Sequence, residues 1–518
     1  MKKVKIYTAE EVAAMVPDGA TISTGGFVSS ACPETLNKAM EKRFLETGHP
    51  RDMTLFFAAG QGHRDGTGGE HYGHEGMLKR VVGGHWDRAK NLGDLALANK
   101  IEAYNLPQGV ISHMYRDIAA HKVGTLTHVG LYTFVDPRYG GGRLNDVPNT
   151  PDLVELVTID GKERLLYKSF PVDVVLIKGS YADEYGNCTV HKEIGPIDVT
   201  AMAQAAKNSG GKVYVQVEKM VEAGQLDPRL VKIPGIYVDG IVFGVGDDNA
   251  QSLGMGYDGA LSGEYRIPVS AIEPIPLNAR KIIGRRAAME LTEDAVVNLG
   301  TGIPETVANV AAEEGISNYM TLTVESGPIG GVPAGGTQFG AAANSMAILE
   351  HNVQFDFYQG GGIDLAFLGL AETAFNGNLN VSKFGTRLAG AGGFIDITQN
   401  AKKVFFCGTF TAKGLVEECV DGELKIIQEG AKKKFVKDIE QITFSGVYAN
   451  QVGQPVLYIT ERAVFKLTPE GLMLIEIAPG VDLQKDVLDQ MEYKPIIAED
   501  LKLMDERIFR DEPMGLKK

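Results

Sequence analysis

DGATISTGGFVSSACPETLNKA (residues 18–39) and EDAVVNLGTGIPETVANVA (residues 293–311) are two versions of one pattern. Each reads as an apolar strand, a glycine turn and a Pro-Glu-Thr helix start, with a few extra residues in the first. The match continues outward in order. MTLFFAAG (residues 53–60) corresponds to MTLTVESG (320–327), and DVVLIKGSYADEYGNCTV (173–190) aligns without a gap to DLAFLGLAETAFNGNLNV (364–381). An Ile-Asp pair follows in each half (Ile197-Asp198, Ile395-Asp396), then another strand, KVYVQV or KVFFCG. Ordered matches of this kind identify two homologous halves. Strands alternate with helical stretches in both, which predicts an α/β protein of two open, mainly parallel sheets. The expected organisation is a first α/β domain over 1–245, a linker over 246–278 rich in Gly, Ser and Pro, and a second α/β domain over 279–518. From about Gly422 short strands and turns, including TFSGVYA, read as a β-rich C-terminal appendix. The first half carries an extra segment, roughly 62–143.

The repeat makes one residue conspicuous. MTLTV is strand-like and Ser326-Gly327-Pro328 ends it, which places Glu325 at the strand's carboxyl lip beside a glycine-rich loop. That is where α/β folds put their chemistry. Taken alone, an exposed turn glutamate is the commoner fate. The counterpart in the first half is Ala58, however, so the scaffold does not require a carboxylate there. A site built once, on one half of a two-fold pattern, fits better.

Composition narrows the function classes. A chain of 518 residues is too long for one core. The formal net charge of −15 argues against a nucleic-acid surface, yet leaves room for a polyanionic ligand held by backbone amides. The N-terminus runs from basic residues into a Thr-Ala-Glu-Glu helix cap and has no continuous apolar stretch, so no secretory leader is expected. No run approaches the ~20 apolar residues that span a bilayer. Cys32, Cys188, Cys407 and Cys419 show no metal spacing. The expectation is a reduced, cytoplasmic protein that does not bind membranes or nucleic acid.

Other candidates carry weaker signals. Gly300-Thr-Gly302 follows a strand and would suit an anion cradle, but no third glycine completes a dinucleotide fingerprint, and a structural turn is about as good a reading. Gly390, Gly392 and Gly393, ahead of the strand-like FIDIT, offer small residues whose amides would suit an oxyanion hole facing Glu325; a bulge or close backbone crossing is the alternative. Gln108, in LPQG, is a polar amide that would reach a substrate carbonyl or simply cap its own turn. His63, His71 and His74 lie among acidic residues, but their spacing matches no zinc pattern, and no metal is expected. Lys432–Lys434 reads as a solvated run, though a cation there would suit a phosphate.

VESGPIGGVPAGG (324–336), QFDFYQGGGIDL (354–365), AGAGGFIDIT (389–398) and FFCGTFTAKGL (405–415), in this order, resemble the family I CoA-transferases, in particular the single-chain propionate or acetate CoA-transferase group. The resemblance covers nearly the whole chain. It implies two related α/β domains, Glu325 as nucleophile, the 390–394 glycine turn as oxyanion hole and Gln108 as the substrate-facing glutamine. It implies transfer of CoA between a short-chain acyl-CoA and a small carboxylate (acetate, propionate, lactate or butyrate class) by a ping-pong route through a glutamyl-CoA thioester. No permanently bound cofactor is implied, coenzyme A being a substrate. CoA contacts are expected on the loop holding Gly335, Gly336, Phe339 and Gly340, and family members imply a homotetramer. Alternatives are an acyl-CoA hydrolase on the same scaffold, a nucleotide-binding oxidoreductase using the Gly300–Gly302 turn, and a non-catalytic ligand-binding module.

Overall fold

The computed structural model describes residues 3–268 and 275–517. The chain divides into two compact units, and the division is not the one between the sequence halves. Residues 1–267, 324–356 and 384–396 form the first unit; 268–323, 357–383 and 397–518 form the second. The expected linker, 246–278, holds a 3₁₀ turn at Gly246–Asn249 and a short helix at Gly259–Ser262; its residues 269–274 lie outside the described residues.

The first unit is built on a seven-stranded sheet. Its order is Gly240–Phe243, Lys212–Val217, Val174–Lys178, Thr21–Thr24, Met53–Phe57, Leu78–Gly83, Glu102–Asn105, and every neighbouring pair is parallel. Sequence order reverses between Thr21–Thr24 and Val174–Lys178, which makes this the switch point of the sheet. Open α/β sheets form their ligand crevices outside the strand ends at such points. The last two strands come from the extra segment, as does the helix Gln108–Ala119 that packs on helix Val199–Asn208. The capping expected at the N-terminus is present: Thr8 Oγ1 accepts the Glu11 N–H while Glu11 accepts the Thr8 N–H.

The second unit repeats the order strand for strand. Val456–Ile459, Lys403–Cys407, Leu365–Gly369, Ala295–Leu299 and Met320–Thr323 are parallel neighbours, in the positions of 240–243, 212–217, 174–178, 21–24 and 53–57. Antiparallel strands Ala463–Thr468 and Gly471–Ile477, then Ile496–Leu503, extend this sheet. The chain is thus an α/β protein with large parallel sheets.

Two short apolar runs differ from the sequence reading. FIDIT is a helical turn, Phe394–Thr398, not a strand. The second, TFSGVYA, leads into helix Gly446–Val452, with Ser445 Oγ accepting the Tyr448 N–H and Gly453 closing it at φ +70°. Runs of five to seven residues fit both periods, so the caps decide. The Gly300 amide donates to the Phe367 carbonyl at 2.8 Å, so the first amide of that turn is taken up by the sheet.

Candidate active site

Glu325, Gln108, the 335–340 loop and the glycines at 390, 392 and 393 all lie in the first unit, whereas Gly300–Gly302 and Lys432–Lys434 belong to the second. Glu325 is half-buried in a tight turn just past strand Met320–Thr323. Within that turn Val324 N–H donates to Pro328 O and Gly327 N–H to Val324 O, both at 3.0 Å. Gly327 is at φ +132°, and any Cβ there would run into the Leu349 backbone. Glycine is therefore obligatory, and the turn is pinned to Leu349, whose N–H donates to Gly327 O at 3.0 Å. Gln354 Nε2 adds a hydrogen bond to Val324 O at 3.2 Å. A carboxylate on so constrained a backbone has a fixed point of departure.

The loop after Glu325 lies over the sheet's switch point. Strand Thr21–Thr24 ends in Gly25-Gly26-Phe27. The Phe27 ring meets Phe339 at 6.0 Å and the edge of His351 at 5.8 Å between centroids. Ser29 Oγ donates to the Thr337 carbonyl, and Ser326 Oγ to that of Gly340. Gly340, at φ +108°, has the Phe27 ring where a side chain would start. Its glycine thus answers to packing. Gly335 and Gly336 are exposed, with nothing within 4 Å of a Cβ built on either. The four residues expected to face CoA therefore split into a packed pair and an open pair.

Gln108 opens helix Gln108–Ala119 and is 3% exposed. Its backbone N–H donates to Gly392 O at 3.0 Å, and its Oε1 lies 3.7 Å from a Cβ built on Gly392. The structure thus brings Gln108 and the glycine turn together, as the sequence alone did not require. Buried Asn105 holds the turn: its Nδ2 donates to Gly83 O (2.9 Å) and Gly84 O (2.6 Å), and its Oδ1 accepts the Ala391 N–H at 2.8 Å. Gly392 N–H itself donates to Gly84 O at 2.8 Å. Of the three glycines, Gly392 consequently shapes the turn rather than offering its amide.

Sequence reading missed several polar groups here. His351, fully buried, places Nδ1 2.8 Å from Asp198 Oδ2 and Nε2 3.1 Å from Gln108 Nε2. Asp198 also accepts the Ser112 hydroxyl, and Asp396 accepts the Gly109 N–H at 3.1 Å. The two aspartates of the repeated Ile-Asp pair thus grip the same helix. That recurring pair was the available signal. His85 lies beside Gly60 and Gly392, and burial pushes its pKa down to about 4, with Asp87 opposing; it is neutral at physiological pH.

The histidines of the glycine-rich stretch are taken up locally. His71 is held between Glu34 and Glu41, each at 2.6 Å, His74 bonds Glu41 at 2.6 Å, and His63 Nε2 meets Leu253 O at 2.9 Å. Among the described residues no group of three side chains gathers to hold a metal, and no helix is long and apolar enough to cross a membrane.

Comparison with known proteins identifies the family. Residues 6–244 match the family model described as Coenzyme A transferase. The chain is 48% identical to the caffeate CoA-transferase of Acetobacterium woodii, over 99% of this chain and 98% of that one. It is 44% identical to the acetate CoA-transferase YdiF of Escherichia coli (strain K12), over 99% and 96%. The crystal structure of the acyl-CoA transferase YdiF from E. coli O157:H7, a thioester complex with CoA, superposes with a TM-score of 0.93 at 43% identity, covering 99% of this chain and 97% of that one. Full-length identity at this level, on a shared fold, leaves one assignment: the chain belongs to the family I coenzyme A transferases, in their single-chain group, and is a CoA-transferase enzyme.

Proposed function

We propose that Glu325 is the nucleophile of a ping-pong transfer of CoA between a short-chain acyl-CoA and a free short-chain carboxylate. A Glu325 oxygen attacks the thioester carbonyl, the C–S bond breaks, and an acyl-glutamyl anhydride forms with release of CoA thiolate. The thiolate attacks the glutamyl carbonyl, expelling the first carboxylate and leaving a glutamyl-CoA thioester. An incoming carboxylate reverses the two steps and departs as the new acyl-CoA. The thioester bond is traded without net hydrolysis, so no permanently bound cofactor is required. Negative charge builds on the carbonyl oxygen in each addition. Gln108 Nε2 is the side-chain donor for it, with the amides of Gly390 and Gly393 as backbone candidates. One donor of this kind contributes roughly 3 kcal/mol to the barrier.

The observation that carries this reading is the placement of Glu325: a half-buried carboxylate on a pinned turn, leading into a loop packed on Phe27 at the switch point, where the duplicated half has Ala58. The thioester complex of the YdiF relative supports it. Acetate, propionate, lactate and butyrate are the proposed acids; one methylene separates them by only ~1–3 kcal/mol, so selectivity among them is modest. CoA is proposed to lie along the Gly335–Gly340 loop. The shared strand order supports descent of residues 1–245 and 279–518 from one duplicated domain, and we propose a homotetramer.

The test is direct. Incubation with acetyl-CoA should give, by intact mass, a CoA adduct that maps to Glu325 and is cleared by propionate. Caffeate, tested alongside, decides between the small and the aromatic acid. No adduct in the wild-type protein sinks the mechanism, and an adduct cleared as fast by water alone makes the enzyme a hydrolase. Glu325→Ala should form none. Glu325→Asp draws the carboxylate back by one methylene, and transfer should fall by orders of magnitude while slow thioester hydrolysis emerges.

A further inference from the structure

We propose that Asp198 and His351 act as a positioning pair that sets which end of the Gln108 amide faces the substrate. The inference rests on the reading of Gln108 as the substrate-facing donor. The two ends of a glutamine amide have nearly the same shape, so hydrogen bonding has to choose between them. Here the choice can be traced. Asp198 accepts the Ser112 hydroxyl on one oxygen and the His351 Nδ1–H on the other, at 2.8 Å. That assigns a proton to Nδ1 and leaves Nε2 as the acceptor facing Gln108. The group 3.1 Å from Nε2 is the Gln108 amide nitrogen, which must donate there. One N–H of Gln108 is thereby engaged, the second remains for a substrate oxygen, and Oε1 is turned toward Gly392.

The imidazole has little freedom to escape this role. It is fully buried, with Phe27 at 5.8 Å and Phe355 at 4.9 Å, both edge-on. Its backbone N–H donates to Ile197 O at 3.0 Å, next to Asp198 itself. Without the Nε2 acceptor the amide would be free to turn over and set its oxygen against the substrate carbonyl. The loss would fall on the transition state, where the oxygen carries charge, and not on CoA binding.

The experiment is a double-mutant cycle in the full-length enzyme, measuring kcat and KM for acetyl-CoA with propionate as acceptor. Gln108→Ala should lower kcat by ~10²-fold. His351→Ala should lower kcat at least ~10-fold, with KM within about twofold, and the double variant should be no slower than Gln108→Ala alone. His351→Gln, whose amide oxygen reaches the Nε2 position, should recover most of kcat. Additive losses, or a folded His351→Gln as slow as His351→Ala, would overturn the inference. Should His351→Ala not fold, His351→Asn replaces it, since its amide reaches the Nδ1 position but not the Nε2 position; the inference then requires Gln fast and Asn slow. A Gln108→Ala enzyme with wild-type kcat would remove Gln108 from the site and the inference with it. The Glu325 adduct, read by intact mass in that same variant, shows separately whether the transfer mechanism stands.

Discussion

Gly340 and Gly336 sit four residues apart in one loop, both at positive φ, and they answer to different demands. In Gly340→Ala a side chain must adopt φ near +108°, which costs about 1–3 kcal/mol. Its Cβ must also displace Phe27, whose Cε1 lies 2.7 Å away. Phe27 is 2% exposed and caught between Phe339 and His351, so overpacking adds about 1–3 kcal/mol. Gly336→Ala meets only the backbone term, about 1–2 kcal/mol at φ +62°, because no heavy atom lies within 4 Å of its Cβ. Gly340→Ala should therefore be the less stable by roughly 1–3 kcal/mol. The single tryptophan, Trp86, is buried in the same unit and gives a clean readout through its emission during guanidinium unfolding. Equal midpoints for the two variants would refute the packing argument. A second readout tests the CoA assignment. If a ligand rather than packing explains the open pair, Gly336→Ala should raise KM for acyl-CoA several-fold with no stability loss beyond that backbone term, and an unchanged KM would take Gly336 out of the binding surface.

Two other predictions follow from buried polar groups. Asn105→Ala strips Gly83 O and the Ala391 N–H of a buried partner and should cost about 2–3 kcal/mol of stability; kcat should fall more than KM changes, and a wild-type kcat would dissociate the glycine turn from the chemistry. Burial pushes Lys434 down to about 8. The unfolded chain therefore binds more protons than the folded one between that value and the ordinary lysine range, and this residue's contribution to stability rises as pH rises through the window. Lys434→Met lacks that rise: its stability relative to wild type should decline between pH 7 and pH 10, and a constant difference would contradict the assignment.

What the sequence disclosed was local or repeated. The Thr8–Glu11 cap, the strand–turn–helix pattern around Pro33 and Pro304, and the contrast of Glu325 with Ala58 all lie within short windows or recur. Short runs such as FIDIT and TFSGVYA read as strands yet fold as helical turns, because caps and neighbours, not periodicity, choose their state. The remaining gaps are long-range. Asp198 and His351 meet across 153 positions, and nothing near either residue names the other. Gly392 reads as an available amide until Gly84 is seen to accept its N–H, and Gly340 reads as a ligand contact until Phe27 is found beneath it. The recurring Ile-Asp pair was visible, but its purpose required the helix at 108–119 to be placed between the two copies.

The first unit is assembled from stretches separated along the chain, ending with residues 384–396. During synthesis the seven-stranded sheet can form once residue 243 has emerged, yet at that moment Phe27 and the start of the 108–119 helix face solvent. The segments that cover them, 324–356 and 384–396, arrive later. Completion of the site is therefore among the last events of folding, and it joins parts hundreds of residues apart, a slow class of closure. A ribosome stalled before residue 396 would hold a chain with a finished sheet and an unfinished site, so the proposed site is complete only when just over three-quarters of the 518 residues have been made.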